Sequence, residues 1–373
     1  MRRQLCVGGW ALFQLLGSAQ AQTPAQNTSV TVYGSLDAGP THVSNVRGHA
    51  VTLVDDGIYQ ADRFGMRASE DLGGGMQAIV QLEGGFGTST GVQPRSGVLF
   101  NRLAFVGLSG SLGTVALGHH SNMMFDAVGK LSNGVLFASF NAFHPGNFDE
   151  TANVGGLDNG IKYTSPDFNG LKLGAGYALG EQPGDASRNR AWGVNASYAN
   201  GPIRLGAGWT SANNKVLNLG QSLGIRTLLG QTLIAGTASV PVFTPLQANN
   251  VRNTGLGASY ALDGVLVHGA WLRSRIQTAA GEVAMSTPEL GVNVRVGAAA
   301  SLNTSLASSH MAGMRWRQAG LNYVYSLSRR TEIYAMAIMQ QAHGNGAVAA
   351  INGLGYASGQ RQHALRLGVH HLF

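Results

Sequence analysis

The sequence predicts an all-β fold: a closed, sixteen-stranded antiparallel barrel that spans a membrane. Three observations predict it. Apolar and polar residues alternate at period two in run after run; the chain opens as an exported protein whose exported part holds no cysteine; and the connections between the runs alternate between short and long.

The opening comes first. Met1-Arg2-Arg3-Gln4 is short and basic, Leu5 to Gly17 is largely apolar, and Ala19-Gln20-Ala21 has the small-x-small form of a cleavage site. An apolar run of about 13 residues is too short to cross a bilayer as a helix. Residues 1–21 are therefore expected to be a signal peptide, and residues 22–373 a single barrel domain. Cys6, the one cysteine, falls in the segment to be removed, which excludes a disulfide scaffold, a thiol nucleophile and a Cys-ligated metal. Gly makes up 54 of the 373 residues, about twice the usual share, and charged residues only 12%. No window approaches the run of roughly 18 apolar residues that a spanning helix needs. The formal net charge of +7 is carried mostly by Arg, since only four of the basic residues are Lys.

The strands follow in order. In Ala61 to Phe86, Phe64, Met66 and Ala68 oppose Arg63 and Arg67. After a Gly-rich turn, Met76, Ala78, Val80 and Leu82 oppose Gln77, Ile79, Gln81 and Glu83. Later runs repeat the pattern. Leu171, Leu173, Ala175 and Tyr177 oppose Lys172, Gly174 and Gly176; Trp192, Val194, Ala196 and Tyr198 oppose Gly193, Asn195 and Ser197. Ile203, Leu205, Ala207 and Trp209 oppose Arg204, Gly206 and Gly208; Leu290, Val292 and Val294 oppose Asn293 and Arg295; Leu321, Tyr323 and Tyr325 oppose Asn322. Around Val265 to Arg275 and Glu332 to Gln340 neither face is cleanly apolar.

The connections give the second rhythm. Short turns stand at Asp71 to Gly75, Gly110 to Gly113, Asp167 to Gly170, Asn200 to Pro202, Asp263-Gly264 and Ser328 to Arg330, with long segments at Ser121 to Leu157 and Ser211 to Asn250. Short turns at one rim and long loops at the other are the habit of outer-membrane barrels. Sixteen units of roughly 22 residues allow about 10 per tilted strand, and an even count closes the sheet without an edge in lipid. The aromatics at the ends of apolar faces fit interfacial girdles, so the apolar face is expected to meet lipid and the glycine-rich polar face a watery lumen. The uncharged stretch Leu228 to Phe243 within the loop Ser211 to Asn250 could fold onto the barrel mouth or touch a neighbouring subunit; it is read here as a mobile surface loop.

An ordered set of motifs then carries a resemblance. Ser29-Val30-Thr31-Val32-Tyr33-Gly34, Arg63-Phe64-Gly65-Met66-Arg67, Ser69-Glu70-Asp71-Leu72-Gly73 and Gln81-Leu82-Glu83 begin it. Ala104-Phe105-Val106-Gly107-Leu108-Ser109-Gly110, Gly113-Thr114-Val115-Ala116-Leu117-Gly118, Asp158 to Pro166 and Val369-His370-His371-Leu372-Phe373 continue it. With these the chain resembles the Gram-negative general porins, specifically the trimeric sixteen-stranded porins of beta-proteobacteria. The resemblance implies a passive diffusion channel of the outer membrane, a homotrimer surrounded by lipid and lipopolysaccharide, and a terminal Phe373 read by the barrel-insertion machinery. It further implies trimer contacts through the early strands and Thr88 to Val98, and no cofactor or nucleic-acid partner.

The resemblance also implies a site. The third long loop, about Ser121 to Leu157, would fold into the lumen and set Asp126, Lys130, Asp149 and Glu150 against a basic wall. Alternation puts Arg63, Arg67, Arg102, Lys162, Lys172 and Arg204 on the polar face with Glu83 as the lumen acid, and Arg295 is read as a residue without a transport role. Arg keeps its charge at any working pH, so such a wall raises anion occupancy to a degree that salt screens. His119-His120 stand where the family often has Arg, and Gly156 near another family Arg, so the expectation is a weak anion preference with a pH-dependent contribution from the two imidazoles. A substrate-specific channel and a non-conducting adhesin barrel are the alternatives. An enzyme finds no support, since no Ser is paired with a placed His and carboxylate and the His residues show no metal-like grouping; the Gly-x-Gly triplets at 174, 206 and 255 precede no helix, which excludes a nucleotide loop.

Overall fold

The computed structural model describes residues 28–237 and 240–373; the expected signal peptide lies outside them. Among the described residues one sheet holds the strands β1 (Ser29–Val46), β2 (His49–Asp56, resuming at Arg63–Gly73), β3 (Met76–Gly85), β4 (Leu103–Gly110), β5 (Gly113–His120), β6 (Leu157–Thr164), β7 (Leu171–Ala178) and β8 (Ala191–Asn200). It continues through β9 (Ile203–Leu217), β10 (Leu246–Leu262), β11 (Val265–Thr278), β12 (Gly281–Val296), β13 (Ala300–Met311), β14 (Met314–Ser326), β15 (Thr331–His343) and β16 (Arg361–Leu372). Each strand pairs antiparallel with the next, and β16 pairs back with β1 from Ser35↔Leu372 to Val43↔Ala364, so the expected sixteen-stranded closure is observed.

β2 counts once because its halves pair with successive stretches of β1, Asp56 opposite Ala38 and Arg63 opposite Ser35. Residues 57–62 bulge inward between them. The freed amides of Ile58 and Tyr59 donate to Asp37 Oδ2 at 2.7 and 3.0 Å, which satisfies backbone groups that hydrocarbon would leave orphaned. Asp37 is itself paired with the fully buried Arg366 at 3.1 Å. Arg366 also meets Asp55, donates to Thr41 Oγ1 at 2.8 Å and to Tyr334 Oη at 2.6 Å, and so ties the first two strands to the last two. A buried ion pair is tolerated where its remaining donors and acceptors are filled in this way.

The faces divide as alternation requires. Val32, Phe64, Val106, Leu117, Leu205, Leu256, Leu290, Leu321 and Leu367 point outward and stay exposed. Tyr163, Tyr260, Tyr323, Tyr325 and Phe373 flank them near the short-turn rim. At that rim the β2–β3 turn uses Gly73, Gly74 and Gly75 at φ of +80°, +61° and +78°, which other residues rarely adopt. All the short turns read from sequence lie at this rim, while the long connections 86–102, 121–156, 179–190, 218–245 and 344–360 lie at the other.

The interior is partly filled by chain. The loop 121–156 runs along the inner wall from β7 to β15 through four short helical turns. Its first turn, Met123–Ala127, rests on a track of wall glycines. A Cβ on Gly206 would stand 2.4 Å from the Ala127 carbonyl oxygen, and one on Gly255 2.7 Å from Met124 Sδ. Wall amides hold the loop's carbonyls: Asn195 Nδ2 donates to Met123 O at 2.8 Å, Asn293 to Leu136 O at 2.7 Å and Asn322 to Phe137 O at 3.0 Å.

The connection after β9 departs from its expected form. β9 extends to Leu217 and β10 begins at Leu246, so residues 211–217 and 246–250 are strand. Residues 218–234 are not a surface loop: Leu219, Leu223, Ile225, Leu228 and Leu233 are buried in the barrel mouth with Phe148, Trp316, Ala347 and Ala350, while Val240 and Val242 further on are exposed. Burying those side chains against the wall and the 344–360 connection is worth more than hydrating them, at roughly 1.5–3 kcal/mol for each large aliphatic. The same packing explains the ambiguous strands. β11 turns Leu272 and Ile276 inward and β15 turns Met336 and Ile338 inward, because inserted loops rather than water meet them.

The track makes a graded prediction. Gly206→Ala meets backbone and is expected to destabilise the protein by about 1–3 kcal/mol, as overpacking does. Gly255→Ala meets a flexible thioether and should be nearly neutral. Thermal unfolding in detergent measures both; equal midpoints would mean the helical turn is not seated on this wall.

Candidate functional site

The inward face of β2 to β4 carries the charged cluster that the sequence placed on the wall. On the wall, β2 and the residue before β4 bring two guanidinium groups to one carboxylate of β3, and β2 sets a third beside them. Glu83 Oε1 lies 2.6 Å from Arg102 Nε, and Glu83 Oε2 lies 3.8 Å from Arg63 Nε and accepts from Tyr33 Oη at 2.7 Å. Gln81 donates to Tyr33 Oη at 2.6 Å, and the Arg67 guanidinium stands 5.8 Å over the Tyr33 ring. One carboxylate thus serves two cations, with the Arg67 guanidinium beside them on the same inward face and no carboxylate of its own within salt-bridge distance among the described residues.

Position along the chain explains the cluster. Arg63 and Gly85 are opposite one another, as are Arg67 and Gln81, so period two aims these side chains inward at one level. Arg102 lies one residue before β4 rather than within it, and its amide bonds to Glu83 O at 3.2 Å.

The other expected wall residues do different work. Lys162 donates to Ser121 O at 3.2 Å and Ser121 Oγ at 3.0 Å and pairs with Asp126, so it anchors the root of the inner loop. Lys172 pairs with Asp167 at 3.6 Å beside the short-turn rim, and Arg204, one residue into β9, is exposed at the same rim. Neither stands at the level of the Arg63 cluster, because each is within two residues of a short turn.

The inner loop corrects a further expectation. Asp149 does not face the wall arginines. It is buried behind the loop, paired with His144 Nδ1, and His144 Nε2 reaches Glu289 Oε2 on β12 at 3.0 Å. A carboxylate so enclosed is stable only beside a cation, and His144 supplies it. Glu150 sits at φ +69° with one carboxylate oxygen enclosed. Lys130 is the exposed charge of this loop, beside exposed Val135.

His120 turns inward and is buried, its ring 5.0 Å from that of Phe105 and its Nε2 without a partner. His119 bonds Asp158 Oδ1 at 2.7 Å and Asn101 O at 3.3 Å. Sequence reasoning missed Tyr33, His144 and Glu289, and took Asn195, Asn293 and Asn322 for water-facing. The signal available was the coincidence of inward Gly-x-Gly and inward Asn on consecutive strands, which marks a close-packed segment rather than open water.

His144 and Asp149 titrate in opposite senses. Burial alone would lower the His144 imidazole, but the carboxylates on either side outweigh it and raise it to about 10. Burial would raise Asp149, but the imidazolium overrides it and holds the carboxyl below its usual range.

The profile of the family described as Gram-negative porin matches residues 15–345. An outer membrane porin protein of Bordetella pertussis is 30% identical over 223 residues, 53% of this chain and 56% of the relative, so that alignment spans little more than half of either. Outer membrane porin protein 32 of Delftia acidovorans is 27% identical over 97% of this chain and 98% of its own length. Among solved structures, the anion-selective porin from Comamonas acidovorans superposes with a TM-score of 0.74 at 24% identity, covering 93% of this chain and 100% of that one.

The clamp sets a pH window. The raised His144 stabilises the loop fully below its unfolded value near 6.5 and loses that contribution as pH rises through about 10. The lowered Asp149 contributes above the usual carboxylate range and loses it as pH falls through its depressed value. His144→Gln leaves two buried carboxylates without a cation and is expected to lose about 3–5 kcal/mol. Its heat-denaturation temperature on a mobility gel should drop at pH 7 and differ less from wild type above pH 10; an unchanged temperature at pH 7 would sink the clamp.

Proposed function

The chain belongs to the Gram-negative porin family, and from that premise we propose that it is a passive diffusion channel for small hydrophilic solutes and ions with a weak preference for anions. It is an outer-membrane β-barrel. The observation that carries the anion preference is the charge balance at the passage. Arg63 and Arg102 share Glu83 and Arg67 stands over the Tyr33 ring, while on the inner loop Asp126 and Asp149 are each paired with a cation and Lys130 is exposed.

A passing anion therefore meets donors whose charge is not fully answered, and Arg offers them in a planar fork. A cation meets one carboxylate already shared. Salt weakens the difference because the passage is wet, with a screening length near 10 Å at 0.1 M. Apolar solutes are excluded for another reason: they lose hydration at the guanidinium wall and gain no partner there.

A homotrimer is the proposed assembly, with Thr88 to Val98 among its contacts. A substrate-specific channel is the second reading, favoured by the apolar packing of residues 218–234 in the mouth, which narrows access to the passage. Solute flux discriminates: a general channel passes neutral sugars in order of size, a specific one passes one class out of order.

Reversal potential across a salt gradient tests the selectivity. Wild type should favour anions at pH 7, Arg63→Gln with Arg102→Gln should shift the ratio severalfold towards cations, and Glu83→Gln should shift it the other way. Lys130→Glu, on the facing loop, should also favour cations. Clear cation selectivity of the wild type at pH 7 would contradict the proposal. Single-channel records should show closure in three steps.

A further inference from the structure

The inward face of the early strands holds a group of side chains that charge alone does not explain. Elsewhere an inward apolar side chain is covered by an inserted loop, as Leu272 and Met336 are. Leu103 and Phe105 also point inward, since Val106 and Leu108 beyond them are exposed on the lipid face, and Ile79 shares the inward face of Gln81 and Glu83. All three are only half-buried, and none joins a buried apolar cluster among the described residues. They present apolar surface to the lumen.

Register places this surface beside an unanswered cation. Arg67 is opposite Gln81, Gln81 is opposite Phe105, and Phe105 is opposite Gly118. Gly118 across the sheet and Gly107 along the strand put no side chain against the Phe105 ring. The buried His120 ring braces it at 5.0 Å. Tyr33 lies over Gly65, where a Cβ would stand 2.5 Å from Tyr33 Cζ, and the exposed Arg67 guanidinium rests 5.8 Å above the Tyr33 ring. Neighbouring strands are about 4.8 Å apart, so roughly 10 Å separates the backbones at Arg67 and Phe105. A guanidinium and an aromatic platform therefore stand at one level with a solute-sized gap between them.

We infer that this row is a binding subsite for aryl carboxylates, of which benzoate is the simplest. Arg67 takes the carboxylate, and the ring lies against Phe105 with Ile79 and Leu103 at its edges. A guanidinium holds a carboxylate by paired, charge-assisted hydrogen bonds, and aromatic rings favour offset or edge contacts. Mostly apolar lining with a few convergent polar groups is the usual character of a small-molecule site. An aliphatic acid satisfies the cation and leaves the platform bare; a neutral aromatic does the reverse. The inference rests on the diffusion-channel reading and names a solute class for it.

Single-channel recording in potassium chloride tests it, with benzoate as the probe. Benzoate held on this face interrupts chloride current, so half-block of the wild type should need at least tenfold less benzoate than acetate. Benzyl alcohol at equal concentration should not block. Phe105→Leu keeps an apolar side chain but removes the aromatic face, and should bring the benzoate-to-acetate ratio within threefold of unity. Phe105→Tyr, which keeps a ring, should retain the preference, and Arg67→Gln should weaken block by both acids severalfold. The wild-type comparison of the two acids needs no variant to fold. Equal block by benzoate and acetate overturns the inference, marking an anion site blind to the ring. Equal block by benzyl alcohol overturns it as apolar adhesion, and so does a Phe105→Leu ratio or an Arg67→Gln block like that of wild type. The wild type's chloride-to-potassium ratio is read in the same membranes before benzoate is added, so failure here leaves the channel reading standing.

Discussion

A cylinder of sixteen strands is wider than its own inward side chains can fill, and that surplus of space is the constraint on which the rest depends. Closure itself is forced, since hydrocarbon offers backbone groups no partner. What closure leaves behind is a lumen that water alone would hold open. The chain answers by sending 121–156 and 218–234 inward and docking them chiefly on one side, from β7 round to β15. Only the wall of the early strands remains for traffic.

That division explains the inward residues strand by strand. Where the loop lies close, the wall carries Gly206, Gly208, Gly255 and Gly257, because a side chain there would collide with the helical turn. Where the loop's carbonyls would otherwise be buried unpaired, the wall carries Asn195, Asn293 and Asn322. Under the mouth packing the wall is aliphatic. On the early strands it carries Arg63, Arg67 and Arg102 around the single carboxylate of Glu83. The polarity of each inward position reports what it touches.

Much of this was legible in the sequence and some was not. Period two, the turn rhythm and the terminal Phe373 depend on local residue order, and they placed the barrel, its faces and its rims. The inward aim of Arg63, Arg67 and Glu83 followed from alternation alone. Partnership did not. Asp149 looks like a free acid until His144, five residues earlier, and Glu289, far along the chain, are brought beside it. Lys162 looks like a wall cation until Asp126 is found against it. Alternation puts Arg366 on the polar face of the last strand, but its contact with Asp37 and Asp55 exists only after the ends of the sheet meet. The stretch 218–245 misled for a related reason: its lack of charge suits a core, but no local pattern says which core.

The seam between β1 and β16 has a consequence for the molecule as a whole. Phe373 exchanges backbone bonds with Gly34 at 3.1 and 3.2 Å, so the far ends of the described sheet are stitched to one another. Arg366 finds Asp37 and Asp55 only across that seam. A sheet lacking β16 has two bare borders that hydrocarbon cannot satisfy, so loss of that strand opens the whole cylinder rather than one-sixteenth of it.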